Sequence, residues 1–186
     1  MPCSFKPAAK TFSILTLVLA LLAVVTAAAA APQNSYTPKS ASEHWIKIDK
    51  HRLRLHLYKG HDVVKTYPIA IGRGVGTKKS RTDLITPSGV FKIWRVVQDA
   101  TQLVYDPAWF GEPGEPYKGA YGAKLISFYN PWQIAIHGTN APGSIGKRVT
   151  HGCVRLHNRD IVELSKYVNP GMRLWIVERA AEKDAI

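Results

Sequence analysis

Cysteine is almost missing from this chain of 186 residues, which holds only Cys3 and Cys153. Cys3 precedes the apolar run of an N-terminal leader, so no lipoprotein pattern is present and the mature chain keeps one thiol. An internal disulfide is thereby excluded, and a lone thiol in an exported chain is a candidate for reactivity. Acidic residues are also scarce, 13 against 25 Lys and Arg, which gives a formal charge of +12. Such a surface favours polyanions. No block of five or six consecutive basic residues occurs, however, and an exported protein has no ready access to nucleic acid, so that partner is excluded. The stretch from Gly72 to Gly89 is rich in glycine and lysine but lacks a Gly-Lys-Ser/Thr step after a strand, and nucleotide binding is rejected with it. Neither a pair of Cys-x-x-Cys knuckles nor a His-Glu-x-x-His helix is found, so no metal and no cofactor is expected. No internal repeat is visible.

Long apolar runs are absent except for one. Lys6 and Lys10 precede "FSILTLVLALLAVV", and "TAAAAAP" follows it, the pattern of a secretory signal peptide over residues 1–31. Removal of that leader lowers the formal charge to +10, because it carries Lys6 and Lys10 and no acid. An uncleaved leader is the one membrane attachment the sequence offers. Residues 32–43 are polar and punctuated by proline, as in a linker. A single folded domain is expected over residues 44–179, followed by a tail at 180–186.

The domain reads as mainly β. In "HRLRLHLYK" the residues Leu53, Leu55 and Leu57 alternate with Arg52, Arg54 and His56, the two-residue period of a strand with one wet face. "WIKID" and "DVVKTYPIAIG" flank it as further strands, so an antiparallel meander is expected first. "VFKIWRVV", "AKLISFY", "WQIAIHG" and "MRLWIVE" read as later strands. Residues 99–122 form a long irregular segment with four glycines, three prolines and five aromatics, which suits a packed lid. One helix is expected to follow Asn158, with Asn158 as its cap and with Ile161, Leu164 and Val168 on its apolar face.

The chemistry concentrates in "THGCVRLHN", Thr150 to Asn158. A cysteine nucleophile needs an imidazole to take its proton, and a neighbouring histidine is expected to draw the thiol below its usual pKa of about 8.5. It also needs backbone N–H groups aimed at a developing oxyanion. Gly152 gives the backbone freedom for that. His137, at the end of a separate strand, and His151 are both candidate bases, with His137 the better placed. Zinc held by His137, His151, Cys153 and His157 is the competing chemistry, and its ligand spacing fits no standard site.

The run from Ile136 to Leu164 resembles the signature of the L,D-transpeptidase catalytic domain of the YkuD type: a His-Gly-Thr strand end, about a dozen residues, then Ser/Thr-His-Gly-Cys-apolar-Arg. "YPIAIGRGVGTKKSRTDLITPSGVFKI" resembles the strand, glycine turn and Thr-Pro-x-Gly stretch of the same family. Residues 99–122 depart from the Gly-Asn-Pro-Leu-Gly pattern of many members, and this leaves the acyl acceptor open.

The resemblance implies a β-sandwich with one or two short helices and a cysteine-dependent acyl transfer on peptidoglycan stem peptides, in the periplasm or cell envelope. Cys153 corresponds to the nucleophile, His137 to the general base, and the carbonyl of Gly138 to the group that orients it. His151, Gly152 and Cys153 line the oxyanion site through their backbone. Arg155 corresponds to an arginine beside the cysteine that contacts a substrate carboxylate, and Thr150 to the Ser/Thr of the motif. The acceptor is a second stem, a lysine of an envelope lipoprotein, or water. A hydrolase of the same linkage and a non-catalytic wall-binding module are the alternatives.

Overall fold

The computed structural model describes residues 36–178. The expected leader, the first residues of the linker and the C-terminal tail lie outside the described residues. Within the linker, Tyr36 sets its ring edge against Trp45, with centroids 5.1 Å apart, and its hydroxyl donates to the Glu43 carboxylate at 2.5 Å.

The sequence alternation builds the first part of the sheet. Strands β1 (His44–Asp49), β2 (Arg54–Lys59) and β3 (Asp62–Pro68) form the expected antiparallel meander. Ile46, Ile48, Leu55 and Leu57 all point inward and are fully buried. Each such side chain contributes about 1.5–3 kcal/mol through removal from water. Leu53, expected to extend this face, instead takes a turn conformation with φ 56° just before β2.

The later strands are β4 (Ile71–Gly72), β5 (Gly89–Val97), β6 (Val104–Tyr105), β7 (Tyr117–Lys118), β8 (Leu125–Phe128), β9 (Ala135–His137), β10 (Arg148–Thr150), β11 (Val154–Arg155) and β12 (Arg173–Val177). Eight of the twelve lie in one sheet, ordered β11-β9-β8-β5-β12-β1-β2-β3. β5 serves both halves of it. Residues 89–92 pair with β12, residues 93–97 pair with β8, and the register shifts between Ile93 and Arg95. An irregularity of this kind bends a strand. The two halves close on one core, in which Ile46, Leu57 and Leu174 meet Ile126, Ile136 and Val154. The fold is thus mainly β and sandwich-like, as expected.

One α-helix is present among the described residues, α1 (Asn158–Leu164), and it buries Ile161 and Leu164 against the core. Its N-cap differs from expectation. His157 occupies that position without a side-chain hydrogen bond, and Asn158 is the first helical residue. The Asn158 side chain has other partners, described below. No helix among the described residues is long and apolar enough to cross a membrane.

Candidate active site

The parallel pairing of β9 with β11 creates the site. Val154 lies opposite Ile136 and Arg155 opposite His137, so Cys153 falls just outside the ladder, opposite the start of β9. His137 ends β9. Both side chains line one small pocket of about 80 Å³, together with Arg81, Tyr121, His151 and Arg155.

The His137 ring is buried, and its Nδ1 donates to the carbonyl oxygen of Gly138 at 2.6 Å. That bond sets the tautomer with its proton on Nδ1 and leaves Nε2 as the proton acceptor. Tyr121 presses edge-on against the ring, with centroids 5.1 Å apart. The Gly138 carbonyl is itself held in place by the Asn158 side chain. Asn158 Oδ1 accepts from the N–H groups of Ala123 and Thr139 at 3.0 Å each, and Nδ2 donates to the Thr139 carbonyl at 3.0 Å. A Cβ on Gly138 would sit 2.2 Å from Asn158 Oδ1, so only glycine admits this clamp. An asparagine expected to cap a helix therefore braces the strand end that carries the candidate base.

The cysteine turn is braced from two sides. Buried Thr150 donates to the Cys153 carbonyl at 2.6 Å and accepts from the Gly152 N–H at 3.1 Å. Thr86, also buried, donates to the Gly152 carbonyl at 2.8 Å and accepts from the Gly72 N–H at 2.9 Å. Leaving such buried groups without partners costs about 1–3 kcal/mol each. Gly152 adopts φ +127°, and a Cβ there would meet Ile134 Cδ1 at 2.7 Å and the Ile85 carbonyl oxygen at 2.8 Å. Gly152→Ala is expected to displace the turn and lower catalytic turnover at least about 100-fold, since shifts near 1 Å have that effect. Steady-state kinetics on folded variant, checked by thermal melting, measure it; wild-type turnover would contradict the turn's role.

The His151 ring is engaged by the segment 99–122. Its Nε2 donates to Glu112 at 2.7 Å, its Nδ1 accepts from the Tyr105 hydroxyl at 3.1 Å, and Phe110 stacks on its ring at 4.3 Å. Burial, followed by the Glu112 charge, pushes the Tyr105 phenol up to about 12, so it remains a donor. Arg73 also binds Glu112, at 2.6 Å, and the His151 ring and the Arg73 guanidinium hold that carboxyl below the usual carboxylate range. The segment 99–122 is thus a folded lid with its own hairpin of β6 and β7, pinned to the cysteine turn through His151.

Electrostatics correct one expectation. An ion pair was expected to lower the thiol pKa, yet burial pushes the Cys153 thiol up, against the opposing pull of the Ala135 backbone and the Arg155 charge. Burial also pushes His137 down to about 4, and Arg155 adds to that effect. Both groups are neutral at pH 7. The physical reason is that packed protein surrounds the buried imidazole and the half-buried thiol, and this partial desolvation disfavours either charged form.

Arg155 has a buried Nε without a hydrogen-bond partner, and no carboxylate among the described residues pairs with it. No cluster of three His, Cys, Asp or Glu with metal-binding geometry is found among the described residues. Thr86, Tyr121, Asn158, Glu112 and Arg81 were not singled out for the site from sequence. Of these, Thr86 had a signal in its Thr-Pro-Ser-Gly turn, whereas Asn158 had one pointing to a different role.

The catalytic-domain profile of the L,D-transpeptidases, YkuD type, matches residues 43–176. A putative L,D-transpeptidase YkuD of Bacillus licheniformis is 39% identical over 131 residues, covering 70% of this chain and 64% of the relative. A probable L,D-transpeptidase YbiS of Escherichia coli is 34% identical over 155 residues, covering 79% of this chain and 48% of the relative. The chain therefore spans about half to two thirds of the length of these relatives. Among solved structures, an L,D-transpeptidase from Mycobacterium smegmatis superposes with a TM-score of 0.55 at 20% identity, over 73% of this chain and 58% of that one. The catalytic domain of the E. faecium L,D-transpeptidase gives 0.51 at 24% identity, over 73% and 98%. These likenesses are of fold.

Proposed function

Because the chain belongs to the L,D-transpeptidase catalytic domain family, we propose that it is a cysteine acyltransferase acting on peptidoglycan stem peptides. The observation that carries this reading is the placement of Cys153 and His137 in one small pocket, with His137 Nδ1 tied to the Gly138 carbonyl. In acylation, Sγ attacks the carbonyl that joins the L-centre of meso-diaminopimelate to the terminal D-alanine. Its proton passes to His137 Nε2 and on to the leaving amine of D-alanine, which leaves a thioester. An amine then attacks that thioester, gives its proton to His137, and frees the thiol.

Roles follow from the local contacts. The Cys153 N–H is the proposed oxyanion donor, because Thr150 already engages the Gly152 N–H. Gly152 and Thr150 serve by fixing the turn, and His151 by holding the lid. Arg155, with no carboxylate partner among the described residues, takes a substrate carboxylate. A second groove of about 530 Å³ also reaches Cys153, along Trp109, Tyr121, Leu125 and Ala135. It is large enough for a peptide acceptor. The acceptor we favour is the amine of a second stem. A lipoprotein lysine or water in that groove would yield the anchoring or hydrolytic versions of the same thioester chemistry.

The test is mass spectrometry of purified tetrapeptide stems incubated with the domain. Loss of terminal D-alanine with formation of a cross-linked dimer is the expected result. Hydrolysed tripeptide alone would assign a carboxypeptidase, and unchanged stems would overturn the reading. Export through the leader at 1–31 is part of the same proposal, and N-terminal sequencing of the mature protein near Ala31 checks it.

A further inference from the structure

Arg81 lines the same pocket as Cys153 but sits on a different element, the loop between β4 and β5. That loop is ordered by a single carboxylate. Asp83 accepts from Lys78 Nζ at 2.7 Å and the Ile85 N–H at 3.1 Å through Oδ1, and from the Lys79 and Ser80 N–H groups at 2.6 and 2.9 Å through Oδ2. Burial opposes this charge, but the four donors hold the Asp83 carboxyl far below its ordinary range. The loop therefore presents Arg81 from a fixed base. The Arg81 guanidinium touches a neutral partner, the side-chain carbonyl of Gln133. Gln133 is itself held at φ 58° on the opposite wall.

The pocket has two guanidiniums and no acid. Arg81 and Arg155 both line it, and no Asp or Glu does. The acids on the neighbouring segments are already committed, Asp83 to the four donors of its own loop and Glu112 to Arg73 and His151. Two cations without counter-ions repel one another unless anions join them, and the surrounding apolar walls strengthen any such pairing. Arg81 also favours the Cys153 thiolate, in agreement with its proximity to the sulfur.

We propose that Arg81 is a specificity-determining residue that reads a second carboxylate of the donor peptide. This rests on the acyl-transfer reading above. The proposed donor carries two carboxylates near its scissile bond, one on the departing D-alanine and one on the distal centre of diaminopimelate. Arg155 lies beside the reacting pair and takes the first, while Arg81, on the facing loop, takes the second. The enzyme therefore prefers stems whose diaminopimelate side chain bears a free carboxylate over those in which it is an amide.

The experiment compares the two stems, free acid and side-chain amide, with the wild type, Arg81→Gln and Arg81→Lys. The wild type is expected to favour the free acid at least about 10-fold in kcat/KM, the size of a lost charge-assisted hydrogen bond. Arg81→Gln brings that ratio close to one, and Arg81→Lys restores part of it. Binding of both stems to Cys153→Ala and to the double variant with Arg81→Gln gives the same ratio as dissociation constants, without turnover. Failure of every stem to react would sink the acyl-transfer reading, while the binding ratio still decides the role of Arg81. Equal binding of the two stems to Cys153→Ala, or a preference that survives Arg81→Gln, overturns the proposal.

Discussion

Cys153→Ala is expected to reduce release of D-alanine from tetrapeptide stems by at least about 1000-fold, the scale seen when a nucleophile is removed from a covalent catalyst. No other described residue offers a thiol, because Cys153 is the free cysteine among the described residues, and the threonine hydroxyls that brace its turn are already engaged. The Thr150 hydroxyl donates to the Cys153 carbonyl, and the Thr86 hydroxyl to the Gly152 carbonyl. Wall binding should survive the substitution, since Arg81, Arg155 and the basic surface remain. Release of D-alanine by the alanine variant at a rate near that of the wild type would remove the nucleophile from the account.

The second large effect concerns His137. His137→Ala is expected to lower kcat about 100- to 10,000-fold, the range for loss of a general base. Its pH signature separates this chain from a pre-formed thiolate. The imidazole, pushed down to about 4, stays neutral and able to accept a proton throughout the neutral range. As pH falls from 7 to 5, kcat/KM should therefore hold, and it should drop only as the pH passes through about 4, where the imidazole is protonated in the free enzyme. On the alkaline side, burial keeps the thiol protonated beyond the ordinary thiol range. Alkylation of Cys153 by iodoacetamide should accordingly rise only at or above pH ~8.5. His137→Ala should leave that rise nearly unmoved while it removes turnover. A reactive plateau between about pH 5 and 7.5 in the wild type would instead establish an ion pair and contradict the neutral resting state.

Arg155 acts on both partners in this scheme. Its charge disfavours the imidazolium and favours the thiolate, so it lowers both pKa values. For histidine it reinforces burial. For cysteine it opposes burial and is outweighed.

Much of this was legible in the sequence. Alternation located the meander because leucine and isoleucine at every second position have one dry face to occupy, and Leu55 and Leu57 do so. The cysteine turn was legible because histidine, glycine and cysteine in that order serve few other purposes. What the sequence could not convey were the contacts between distant segments. Nothing near Thr86 indicates that its hydroxyl spans Gly72 and Gly152, the latter 66 residues away. Asn158 lies just before an apolar helical repeat, and a local reading assigns it the cap, whereas its amide is satisfied by Ala123 and Thr139. The thiol pKa was misjudged for a related reason. A neighbouring histidine is visible in sequence, but the burial of the imidazole and the partial burial of the thiol are properties of the folded pocket.

The most direct measurement of the central claim is the intact mass of the domain mixed rapidly with tetrapeptide stem and quenched in acid, followed by peptide mapping. The account predicts a transient adduct with the mass of the stem less D-alanine, attached through a thioester to Cys153 and discharged when an amine acceptor is added. Stems that lose D-alanine while Cys153 never carries an adduct, or an adduct mapped to another residue, would contradict it.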